Sequence, residues 1–133
     1  MTLTSFLNEV WSLSIKEDVK GVEDVLYRKR QSQEFCKCGE YNALMTAVCN
    51  HDCKMANMLF KHRASVTEEI LLHSSGMTSG DYICGSTSDE MYELILDHTP
   101  TEYIIKMFTE HKLDNVPTKK RSSLMCELER RSI

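Results

Sequence analysis

Apolar positions recur along this chain with the spacing of one helix face, and the recurrence itself repeats. Asp18 is followed at the fourth, seventh and eighth positions by Val22, Val25 and Leu26. Asp52 stands in the same way ahead of Ala56, Leu59 and Phe60, and Ser88, after nearly the same interval again, ahead of Tyr92, Ile95 and Leu96. An Asp or Ser side-chain oxygen accepts from the free N–H groups that open a helix, and those offsets fall on one stripe of it. Arg28, His62 and His98 stand at offset ten, where cations complement the negative end of the helix dipole.

A shorter apolar face precedes each unit: Phe6, Val10, Trp11 and Leu13; then Ala43, Leu44, Ala47 and Val48; then Ile70, Leu71 and Leu72. The pattern predicts helix, tight turn and returning helix, three times over. Neither helix of a pair buries its stripe alone, so neighbouring pairs must stack. Past Pro100, Thr101 to Thr109 predicts one more amphipathic helix that closes the stack. The expectation is an all-α array of stacked helix-turn-helix repeats over residues 1–112 with a C-terminal capping helix. Residues 113–133 turn polar and basic and read as a mobile tail, with a short helix over Leu124 to Arg131 as the alternative. Met45, Met55, Met58, Met91 and Met107 fall on the stripes and read as core.

Composition narrows the class. A chain of 133 residues with 41% hydrophobic and 27% charged residues suits one globular domain or one short array. No apolar run approaches the roughly 20 residues of a membrane span, and a net charge of −4 gives no overall basic field for nucleic acid. The stretch from Met1 to Asp18 has no basic leader and carries Glu9, Glu17 and Asp18, so entry into the secretory route is not expected. Six cysteines in so conventionally apolar a chain read as reduced thiols of a cytoplasmic or nuclear protein.

The chemistry-bearing residues are few. Cys36, Cys38, Cys49, His51 and Cys53 offer five zinc donors in one short stretch, but Cys36-x-Cys38 is too tight for an ordinary knuckle. A zinc-binding or thiol-dependent protein is therefore the alternative reading, and no cofactor is the leading one. His51 stands at a helix end where a positive φ is expected, which His tolerates better than most residues. Neither a phosphate loop nor a nucleophile motif is present, and no enzyme activity is expected. Lys119-Lys120-Arg121-Ser122-Ser123 has the form of a basophilic kinase site, which makes Ser123 a phosphorylation candidate.

Asn42-Ala43-Leu44-Met45-Thr46-Ala47 resembles the ankyrin-repeat signature Thr-Pro-Leu-His-x-Ala, and Ala47 to Val66 is similar to the remainder of that repeat. The signature's Pro and His are missing, and His51 and Arg63 stand where the repeat has glycine. The resemblance implies a protein-binding module, an adaptor or inhibitor that meets another protein through its concave face and turn tips. Carried onto this chain, it implies partner contacts at Phe35, Lys37 and Tyr41 near a tip, Thr46, Cys49 and Asn50 on the outer side of a first helix, and Glu68 and Glu69 downstream. Gln33 and Glu34 belong to the same expected tip, and the glycine-rich stretch 76–87 reads as a specificity loop. Direct nucleic-acid or membrane partners are not implied. A weak homo-oligomer through the open end of the stack is the third expectation.

Overall fold

Each of the three expected start signals opens a helix. The Asp18 carboxylate accepts from the Gly21 N–H at 2.9 Å, Asp52 from Met55 at 3.1 Å, and the Ser88 hydroxyl from Met91 at 3.2 Å. The computed structural model describes residues 2–29, 32–75, 88–110 and 116–131, and every regular element among them is helical. In chain order these are α1 (Leu3–Ile15), α2 (Val19–Glu23), which runs into a π-helical turn (Asp24–Arg28), α3 (Gln33–Asn50), α4 (Cys53–Lys61), α5 (Glu68–Ser74), α6 (Asp89–Asp97), α7 (Thr101–Glu110) and α8 (Thr118–Arg131). They form two compact units, Met1–Ser65 and Val66–Ile133. The expected specificity stretch, 76–87, lies outside the described residues.

The expected all-α character is what the chain adopts, and the nine apolar positions that define the recurrence are all buried. Val22, Ala56, Leu59, Tyr92 and Ile95 are fully so, and Phe60 is the most open at 8%. Each buried Val, Leu, Ile or Phe side chain contributes about 1.5–3 kcal/mol relative to exposure.

The recurrence extends into the backbone of the first two helix-to-helix junctions. Glu17 and His51, at matching positions in successive units, both take left-handed backbone at φ 58° and 56°. The residue after each, Asp18 and Asp52, donates its N–H five positions back, to the Leu13 and Ala47 carbonyls at 3.0 and 2.9 Å. The caps themselves match, with φ −84°, ψ 80° at Asp18 and φ −88°, ψ 82° at Asp52. A left-handed residue followed by a long return bond is the Schellman way of ending a helix, and here the next residue at once begins another. Arg63, at φ 66°, also adopts the conformation expected where ankyrin repeats carry glycine.

Within Met1–Ser65, α1 lies along α3, with Phe6 and Val10 fully buried and the Phe6 and Phe35 rings stacked at 5.6 Å between centroids. Gly39, on α3, permits this approach. A β-carbon there would stand 2.5 Å from Leu26 Cδ2 and 3.0 Å from Phe6 Cε1, so a larger residue would displace these buried side chains. Two expectations fail here. Trp11, assigned to the inner face of α1, is 56% exposed, because Phe6, Val10 and Ser14 form the inward stripe at spacings of four. Gln33 to Tyr41, assigned to a turn tip, is helix, so α3 runs 18 residues.

Within Val66–Ile133, α6 is lined by Met91, Tyr92, Ile95 and Leu96, all buried, and α7 contributes Ile104 and Met107. The segment expected to be a mobile tail holds the 14-residue α8, against α6 and α7, with Leu124 fully buried. A hydrophobicity pattern understates this helix because its seated side chains include Lys120 and Glu127.

Candidate functional site

Two of the expected contact residues, Lys37 and Tyr41, lie along one side of α3. Glu34, Lys37, Cys38, Tyr41 and Met45 follow one another mostly at three- and four-residue steps, opposite the buried Gly39, Ala43 and Ala47 and bordered by the buried Leu44 and Val48. Lys37 is exposed and Tyr41 half-buried on that side. Cys49 is half-buried near the helix end and Asn50 exposed at its last residue. Thr46, on the flank, returns its hydroxyl to the Asn42 carbonyl at 2.8 Å. Phe35 is turned in, its ring on Phe6, and is therefore part of the packing between α1 and α3. In the other unit, Glu68 is bonded to Lys106 at 3.3 Å, while Glu69 is exposed in the first turn of α5.

Sequence reasoning missed the exposed face of α1. Trp11 at 56% and Ile15 at 46% exposure stand one helical turn apart, with half-buried Leu7 one turn before. Four-residue spacing among Leu7, Trp11 and Ile15 is visible in the sequence, but so is the competing stripe of Phe6, Val10 and Ser14, and only packing decides which faces inward.

A polar cluster joins the two hairpins of Met1–Ser65 at the π-helical turn. Glu23 Oε2 lies 2.8 Å from His62 Nε2, the Tyr27 ring stacks on the His62 ring at 3.9 Å, and the Tyr27 hydroxyl donates to Glu40 Oε2 at 2.5 Å. The hydrogen bond to His62 holds the Glu23 carboxyl below its ordinary value of 4.5. Burial, and then the Glu40 carboxylate, push the Tyr27 phenol well above its ordinary 10. The wide turn keeps Val25 and Leu26 buried while Tyr27 bridges α3 and the end of α4. These side chains act on one another as a brace.

Zinc ligation by the cysteine-rich stretch is not supported by the placement of its five donors. Cys38 and Cys49 stand three turns of α3 apart, a rise of about 16 Å at 1.5 Å per residue, whereas four donors must lie within about 2.3 Å of one ion. Among the described residues no three His, Cys, Asp or Glu side chains gather as a metal site. Nor is Cys36 activated: burial, then Glu40, raise its thiol above the ordinary 9.0, and its Sγ faces the Leu26 carbonyl at 3.6 Å. Cys36, Cys38 and Cys126 are free thiols as expected and Cys53 takes part in no disulfide, but Cys49 is disulfide-bonded. None of the helices among the described residues is long and apolar enough to cross a membrane.

The second unit carries a surface groove of ≈ 440 Å³ between α6 and α8. Glu93 and Asp97 face Lys119, Ser123, Cys126 and Arg130 across it. The chain matches none of the protein-family models, curated proteins or solved structures with which it was compared.

Proposed function

We propose that this chain is a protein-binding module of ankyrin-like helical hairpins, acting as an adaptor or as an inhibitor that occupies its partner's surface. The observation that carries the reading is the Trp11 and Ile15 pair, two large apolar side chains held in water on the rigid α1 helix. Tryptophan is the side chain most enriched among residues that dominate interface energies, and a preformed helix loses little entropy on docking. Lys37 and Asn50, both exposed on α3, offer polar contacts of the kind found at interface rims.

The ankyrin-like part of the reading draws support from the recurrence of Glu17-Asp18 as His51-Asp52 in backbone and hydrogen bonding. It departs from that family in α3, whose 18 residues include the stretch where a projecting tip was expected.

Affinity capture with the intact chain, compared with a Trp11→Ala/Ile15→Ala double variant and with Lys37→Glu, tests the proposal. A tryptophan of this type costs about 2 kcal/mol or more when truncated, so the double variant loses a specific partner by roughly 30-fold. Lys37→Glu produces a smaller loss, dependent on salt. Equal recovery of every captured protein by all three chains rejects the surface and, with it, the proposed mode of action.

A further inference from the structure

Helix α8 is held on its unit largely by polar contacts. Leu124 is fully buried, but Met125 is 49% exposed. Lys120, 3% exposed, donates Nζ to the Ser74 carbonyl at 2.9 Å, at the C-terminal end of α5, and lies 5.4 Å over the Tyr92 ring. Arg131, at the far end of the same helix, donates Nη1 to the Thr99 carbonyl at 2.5 Å and Nη2 to the Leu96 carbonyl at 2.6 Å, at the C-terminal end of α6. Its Nε holds Glu127 Oε1 at 2.7 Å. Two cations of one helix thus sit on the negative ends of two others. Burial disfavours the charge of Lys120 and lowers its pKa, so the first anchor works against its own desolvation.

We propose that α8 is a releasable latch and that Ser123 is a phosphorylation site presented only by the released helix. Lys120 and Arg121 stand three and two positions ahead of Ser123, where a basophilic kinase reads cations along an extended substrate backbone. In the docked helix all three lie on helical backbone, not the extended form a kinase reads, and Lys120 is buried. Lys120 is bound to Ser74, Arg121 Nη2 donates to the Val116 carbonyl at 3.3 Å, and the Ser123 hydroxyl donates to the Lys119 carbonyl at 3.2 Å. The Lys120 ammonium therefore either pins the latch or is read by the kinase.

Phosphoryl transfer from ATP forms a bond between Ser123 Oγ and the γ-phosphorus and breaks the bond from that phosphorus to the β,γ-bridging oxygen. ADP leaves, and the hydroxyl proton passes to the kinase's catalytic base. The phosphate then adds up to two negative charges in a groove already lined by Glu93, Asp97 and Glu127, which opposes return of the helix.

The test uses the full chain, a basophilic serine kinase and radiolabelled ATP, with phosphopeptide mapping. Arg131→Ala and Leu124→Ala remove an anchor outside the recognised cations, and Ser123→Ala removes the acceptor. With the released form at a few per cent of the wild type, as is common for a minor state, both anchor variants incorporate phosphate at Ser123 about tenfold or more faster. Their circular dichroism keeps the remaining helices, and amide exchange quickens in α8 ahead of α6. Equal rates in wild type and variants, label on Ser122 alone, no label in any chain, or loss of the whole unit's helicity on removing either anchor would each overturn the proposal.

Discussion

Phe6→Ala lowers the stability of the Met1–Ser65 unit by about 3–5 kcal/mol, the usual cost of truncating an enclosed aromatic side chain. Three features place it at the upper end. The ring is fully buried, it stacks on Phe35, and it lies against Gly39, whose missing side chain is what lets α1 and α3 come together. Main-chain atoms cannot swing in to fill the void. Against a total of roughly 5–15 kcal/mol for a whole domain, the loss leaves this unit marginal at physiological temperature. Urea denaturation followed by far-ultraviolet circular dichroism measures it, and a loss below about 1 kcal/mol, well under the usual range, would mean that Phe6 is not enclosed.

Glu127→Gln has the second-largest effect, and its sign depends on pH. The carboxylate is buried, a state that by itself raises its pKa, but hydrogen bonds from Arg130 and Arg131 outweigh that and hold it below 4.5. A depressed folded-state value means that the carboxylate's contribution is complete above the ordinary carboxyl range and is lost as pH falls through the folded value. Breaking a buried ion pair costs about 3–5 kcal/mol. Arg130 lies mostly in water and Arg131 keeps the Leu96 and Thr99 carbonyls, which reduces the figure to about 2 kcal/mol at pH 7. Denaturation midpoints of the two chains should differ at pH 7 and converge towards pH 3. A constant difference across that range would show that the charge is not what holds α8.

Most of the helical framework was legible because local signals agreed. Asp18, Asp52 and Ser88 each cap the helix they precede, and the apolar residues at offsets four, seven and eight are all buried. The parts that were not legible depend on partners distant in sequence. Gly39 reads locally as a helix breaker, yet it lies mid-helix because Leu26 and Phe6 occupy the space beside it. Trp11 looks like core until Phe6, Val10 and Ser14 claim the inward stripe. Polarity disguises α8, since Lys120 and Glu127 are buried through bonds to backbone and to arginines. On the candidate surface Lys37 and Asn50 are exposed, whereas Phe35 stacks on Phe6, because its aromatic character suits a core as well as an interface.

Backbone NMR chemical shifts and three-bond HN–Hα couplings over residues 2–65 test most directly whether the first unit is two helical hairpins joined by matched junctions. The fold requires unbroken helical shifts from Gln33 to Asn50 and positive φ at both Glu17 and His51. Turn or extended shifts across Phe35 to Tyr41, or negative φ at either junction, would contradict it.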